Sequence, residues 1–195
     1  MTMMELVEFD RRLRVLSPGA WPFVCDGSPL DCAVFLVGIN PRSDTDFWSC
    51  WDPIAGFQRE AWLAAYLRES EFTRTRRRIN ALVELLPIKC LETNVFCATS
   101  STPKVLSREE RDTRVFDFLL EAIRPRVVLV HGRPPRRHLE RVTRVRLPLG
   151  AVTIVETPSS KMSVLATRHL SRLSTTDFDG VGRALRRCAL RPVAP

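Results

Sequence analysis

Val34-Phe35-Leu36-Val37-Gly38-Ile39-Asn40-Pro41 is a bare apolar run that stops on a Gly-x-Asn-Pro turn. Apolar, partly β-branched residues with no polar alternation predict a strand covered on both faces, the usual state in a parallel sheet. Gly38 and Pro41 punctuate its end, and Asn40 stands there as a neutral carboxamide. In open α/β sheets the loops past the strands' carboxyl ends build the ligand site. Asn40 is therefore the first candidate for chemistry, although Asn in a turn often bonds only its own backbone.

Working outward, three more strands are expected, at Cys90–Phe96, Arg126–Val130 and Ala151–Val155. Helical spacing of apolar residues falls between them. Leu6, Phe9, Leu13 and Leu16 share one face, a second helix is expected over 56–67, and Ile79, Leu82, Val83 and Leu86 mark a third. Ser107-Arg108-Glu109-Glu110 reads as a capping box opening a helix through Ile123, and Thr176 as the cap of a last helix carrying Val181 and Leu185. Buried strands alternating with helices predict an α/β, doubly wound parallel sheet. With 195 residues and no linker or repeat, a single domain over 1–195 is expected.

Composition narrows the partners. The chain is 45% hydrophobic and 27% charged, as in ordinary globular proteins, and no run approaches the ~20 apolar residues of a membrane span. The start lacks a signal-peptide pattern, so a cytoplasmic protein with no membrane partner is expected, as a monomer. The net charge of +8 is almost wholly arginine, since Lys89, Lys104 and Lys161 are the only lysines. Guanidinium groups pair well with phosphate oxygens, which suits a polyanionic partner; an arginine-rich genome solvating its helices is the plainer account. The six cysteines form no Cys-x-x-Cys pair, so neither a metal nor an iron–sulfur cofactor is expected.

The unusual polar residues fall just past the expected strands: Asn40, Asn94, His131 and the run Thr157-Pro158-Ser159-Ser160. Two carboxamides and small hydroxyls suit a neutral heterocycle, because an amide offers donor and acceptor together. Phe47 or Trp48 can stack on such a ring, whereas Trp51, Phe57 and Trp62 are expected in the core. Asp44 and Asp46 are candidates to orient water, although Asp46 also suits a cap for the segment at Phe47.

These motifs resemble the uracil-DNA glycosylase superfamily. Gly38-Ile39-Asn40-Pro41 with Phe47-Trp48 is similar to the first motif of the mismatch-specific thymine/uracil DNA glycosylases. Thr93-Asn94-Val95 and the run from Leu119 to Val128 resemble the iron–sulfur uracil-DNA glycosylases, and Thr157-Pro158-Ser159-Ser160 resembles the second motif in its histidine-less form. Arg168-His169-Leu170-Ser171 looks like a segment that follows that motif in the uracil-specific branch.

The resemblance implies a three-layer αβα domain with a four-stranded parallel sheet ordered 2-1-3-4. It implies hydrolysis of the N-glycosidic bond of uracil or a related damaged or mispaired base in single- or double-stranded DNA. Asn40 would position the attacking water, while Gly38, Ile39 and Pro41 shape the loop and Asn94 reads the extruded base. Phe47 or Trp48 would stack on that base. Thr157, Pro158, Ser159 and Ser160 would grip phosphate, with Lys161 and Met162 at the wedge that fills the emptied stack.

Three departures follow. Arg42 stands where the mismatch enzymes carry glycine, Thr157 where uracil-specific members carry the histidine that donates to the leaving group, and the paired thiols of the iron–sulfur branch are missing. His131 can stand in as that donor, and His169 can reach in or bind phosphate. Two other readings compete: a catalytically silent nucleic-acid-binding protein that keeps the fold, and an unrelated enzyme of free nucleotides. The last has least support, because no Gly-rich phosphate loop is present.

Overall fold

In the computed structural model, which describes residues 3–19, 21–42, 45–100, 105–157 and 160–190, fourteen helices and strands follow one another. They are α1 (Met3–Leu16), β1 (Phe23–Val24), β2 (Val34–Gly38), β3 (Trp51–Asp52), β4 (Gly56–Phe57), α2 (Arg59–Glu69) and α3 (Arg74–Leu85). Then come β5 (Cys90–Asn94), α4 (Arg114–Ile123), β6 (Val127–His131), α5 (Arg133–Thr143), β7 (Val152–Thr157), β8 (Ser160–Thr167) and α6 (Thr175–Leu190). No helix among the described residues is long and apolar enough to cross a membrane.

The sheet is α/β but mixed, in the order β1-β5-β2-β6-β8-β7. β5, β2, β6 and β8 run parallel, with Leu36 level with Glu92 and Leu129, and Val128 level with Val164. β1 and β7 are antiparallel at the two edges. This corrects the expected all-parallel four-stranded sheet, because Ala151–Val155 is not the fourth parallel strand. It forms most of β7, and two residues separate β7 from β8, a span that permits a hairpin and no parallel crossover. The parallel position beside β6 goes instead to Ser160–Thr167, whose mixed polar and apolar residues hid it.

Strand alternation divides the core between two faces. Phe35, Val37, Val128 and Val130 pack with Leu13 of α1, Phe116 and Leu119 of α4, and Leu139 of α5. Val34, Leu36, Val127 and Leu129 face Ile79 and Leu82 of α3 and Val181 and Leu185 of α6. Each fully buried aliphatic or aromatic side chain is worth about 1.5–3 kcal/mol relative to exposure. The continuous apolar run from Val34 to Val37 is buried throughout because helices cover it on both sides.

Two local expectations change, and one helix is added. The Ser107 capping box forms, with Ser107 N–H donating to Glu110 at 2.7 Å and Glu110 N–H to Ser107 Oγ at 3.2 Å, but it closes a lone turn. Helix α4 begins only at Arg114. Gly56–Phe57 pairs with Trp51–Asp52 as a small hairpin, so α2 starts at Arg59. The arginine-rich stretch after Gly132 is helix α5, with Pro134 and Pro135 in its first turn, where a missing N–H costs little.

Candidate functional site

The carboxyl ends of the four parallel strands open on a cleft of about 820 Å³. Gly38, Ile39, Asn40, Pro41, Asn94, His131 and His169 all line it. The loops after β2 and β5 are laced together, since Phe96 N–H donates to Ile39 O at 3.0 Å and Ser100 N–H to Pro41 O at 3.1 Å. Asn40 completes the lacing. Its Nδ2 donates to Pro41 O at 2.9 Å, to Ser100 O at 3.1 Å and to Ser100 Oγ at 2.9 Å. Two of those partners are carbonyls, so the amide can point only one way. Oδ1 is left as the acceptor, and an acceptor is what orients a water.

At the bottom of the cleft β2 must end on glycine. A Cβ on Gly38 would stand 2.5 Å from Asn94 Oδ1 and 3.3 Å from the His131 ring. Asn94, 9% exposed, makes no side-chain hydrogen bond among the described residues. His131 is 2% exposed, and both its ring nitrogens are without a partner. Orphaned buried atoms such as the two His131 nitrogens are costly unless something completes them.

His169 leaves the turn after β8 and meets the His131 ring edge to face, centroids 5.0 Å apart. Its Nδ1 lies 2.8 Å from Ser171 Oγ. Burial, and then repulsion from His169, pushes His131 down to about 3. His169 is lowered as well, by burial first and by Arg172 second. Near neutral pH both rings are uncharged, able to donate from one nitrogen and accept at the other.

The α2–α3 side of the cleft is charged. Glu92, in the middle of β5, takes Arg76 on Oε2 and Arg59 on Oε1, the latter at 3.4 Å, while Arg59 also reaches Asn80 at 3.0 Å. The Arg76 guanidinium lies over the Trp62 ring at 4.9 Å. One carboxylate between two guanidiniums leaves this buried cluster with an excess positive charge. Arg42, Arg74, Arg133, Arg136, Arg168 and Arg172 add to it along the rim.

Several expected site residues lie elsewhere. Phe47 is 2% exposed and stacks with Phe57 at 5.0 Å and Trp51 at 5.9 Å, so it is core and offers no face to a ligand. Trp48 packs edge-on to Phe47, with Arg14 over its ring at 4.4 Å, and is not part of the cleft wall. Asp46 is a cap, accepting from Trp48 N–H at 3.0 Å and Ser49 N–H at 3.2 Å. Thr157, Ser160, Lys161 and Met162 belong to the β7–β8 hairpin, at the amino end of the sheet. Thr157 and Met162 line a separate groove with Leu139 and Val142, and Lys161 pairs with Glu156 at 2.7 Å. The Thr157 segment therefore does not converge with Asn40 and Asn94. Pro158, Ser159 and Asp44 lie outside the described residues.

Trp21, Trp62, Tyr66, Arg76 and Glu92 line the cleft without having been anticipated. The legible signal was Glu92, a carboxylate inside an otherwise buried strand. It needs a buried partner, and the arginines of Arg74-Thr75-Arg76-Arg77-Arg78 were the candidates. No group of three or more His, Cys, Asp or Glu among the described residues is placed to hold a metal ion. Compared with known proteins, the chain matches no family model and no curated protein.

Proposed function

We propose that the cleft binds a nucleobase extruded from DNA and hydrolyses its N-glycosidic bond, uracil or a related damaged or mispaired base being the substrate. The observation that carries this reading is Asn94, a carboxamide with no side-chain partner lining the cleft, whose Oδ1 lies so close to the end of β2 that only a glycine fits there. A ring presenting an imide edge satisfies both halves of such an amide at once.

Asn40 holds the attacking water through Oδ1, its Nδ2 being committed to the loop. Bond cleavage leaves positive charge on the sugar and negative charge on the departing base. A donor aimed at the base oxygen is the group that lowers that barrier. His169 takes this part in place of Thr157. It follows the parallel strand β8 and lines the same cleft as Asn40 and Asn94. In the tautomer whose Nδ1 accepts from the Ser171 hydroxyl, Nε2 carries the proton that it presents to the base. His131, buried deeper, closes the far wall. The resemblance to the uracil-DNA glycosylase superfamily supports the same assignment of Asn40 and Asn94.

The test uses labelled single- and double-stranded oligonucleotides carrying uracil, hypoxanthine, thymine opposite guanine, or an etheno adduct, followed by alkaline cleavage at abasic sites. Product is expected from at least one of them, lost in Asn40→Ala and lowered roughly 10²–10³-fold in His169→Ala. Product from none, alongside salt-sensitive DNA binding, overturns hydrolysis and leaves a silent binding protein.

A further inference from the structure

We propose that the cleft holds one nucleic-acid strand by two phosphates on opposite sides of the base pocket, Arg74 and Arg172 gripping one and Arg133 and Arg168 the other. The inference rests on the nucleic-acid reading above and specifies the ligand as a strand longer than one nucleotide.

The first ground is a charge pattern against the helix dipole. Acidic residues sit in the first turn of α1 (Glu5), α2 (Glu60), α4 (Asp117) and α6 (Asp177), where the dipole favours them. α3 and α5 have none. α3 opens with Arg74, Arg76 and Arg77, and α5 with Arg133 and Arg136. These two starts are the ones that line the cleft, through Thr73–Arg76 and Gly132–Arg133. Cations at a helix start are unfavourable unless an anion joins them.

The two starts flank the sheet from opposite faces, since α3 packs on Val34 and Leu36 and α5 on the face carrying Phe35 and Val37. Arg74 donates to Leu173 O at 3.3 Å, tying it to the Leu170–Arg172 turn and so to Arg172. Gly132 N–H donates to Thr167 O at 3.0 Å, which sets Arg168 beside the start of α5. None of Arg74, Arg133, Arg168 and Arg172 has a carboxylate partner among the described residues. Pro134 and Pro135 remove two backbone donors from the start of α5, so an anion there relies chiefly on the guanidiniums.

The second ground is what lies between the two sides. The unpartnered His131 and Asn94 sit in the same cleft and ask for a hydrogen-bonding ring. A volume of about 820 Å³ exceeds what one ring fills. A ring in the middle with a phosphate on either side describes a nucleotide within a strand.

The experiment measures fluorescence anisotropy of a labelled single-stranded 12-mer across a salt series, with Arg74→Gln/Arg172→Gln, Arg133→Gln/Arg168→Gln and the combined variant. All four side chains are exposed, and far-UV circular dichroism checks that each variant folds. Each pair is expected to weaken binding roughly tenfold at ~0.1 M salt and to lower the slope of log affinity against log salt by about 0.7. The combined variant should double that loss of slope. A slope that either pair leaves unchanged overturns the proposal. So does a nucleoside monophosphate or triphosphate that binds as tightly as the 12-mer. Slopes that fall as expected in a protein releasing no base support this proposal while sinking hydrolysis.

Discussion

Two buried histidines show how differently the helix layer and the carboxyl end of the sheet are built. His138 on α5 is fully engaged, with Nε2 2.6 Å from Asp117 and Nδ1 2.9 Å from Arg141, and it ties α5 to α4. His131, at the carboxyl end of β6, is as deeply buried and engages nothing. The helix layer is finished by its own side chains. The carboxyl end of the sheet leaves His131 and Asn94 open, with glycine at Gly38 and a cationic rim. Orphaned buried polar groups are tolerated where a ligand completes them, so the difference makes the carboxyl end of the sheet the candidate site.

The contrast breaks most sharply at Gly38. Gly38→Ala puts a Cβ 2.5 Å from Asn94 Oδ1 and should displace that amide, lowering base release at least ~10²-fold while costing about 1–3 kcal/mol of stability. Product assays beside urea melts check it; wild-type turnover in this variant would mean that Asn94 reads nothing. At the opposite end the sign reverses. Met162→Ala should cost about 2–5 kcal/mol of stability and leave turnover per folded molecule unchanged, because Met162 is core at the amino end.

Acid should find the carboxyl end of the sheet first. His131 is held near 3 when folded against an ordinary 6.5, so the unfolded chain binds the extra proton between those values. Stability is then complete above pH 6.5 and falls as pH drops, at up to about 1.4 kcal/mol per pH unit, or roughly 2 kcal/mol by pH 5. His169, also lowered, acts in the same direction. Denaturant melts from pH 7.5 to 5 should show that slope in wild type and a flatter one in His131→Phe. The smallest effect is expected at Lys161. Its ion pair with Glu156 is exposed and far from the cleft, so Lys161→Ala should leave DNA affinity and its salt slope as in wild type.

How much was legible varies along the chain. The buried character of β2 and β6 was plain, because their runs are apolar up to Gly38 and His131, whereas β5 is buried although it carries Glu92, Thr93 and Asn94. The fourth parallel strand was not plain. Ser160, Lys161, Ser163 and Thr167 interrupt its apolar residues, whereas Val152, Ile154 and Val155 look more like a buried strand than the edge they form. Reading Ala151–Val155 as that strand set the run from Thr157 beside Asn40, whereas Thr157 and Ser160 stand at the amino end of the sheet. Phe47 and Trp48 illustrate a second limit, since a tryptophan or phenylalanine after a turn reads alike whether it caps a ligand or fills the core.

Sequence by itself determined the α/β alternation, the basic surface and the punctuated end of β2 with Asn40 on it. Those are properties of residue type and short spacing, which act locally. Only the tertiary structure decided that the sheet is mixed, that His169 rather than Thr157 faces Asn40 and Asn94, and that Arg76 answers Glu92. Each of those depends on which distant segments pack together, and a two-residue hairpin link between β7 and β8 is enough to move a whole motif from one end of the sheet to the other.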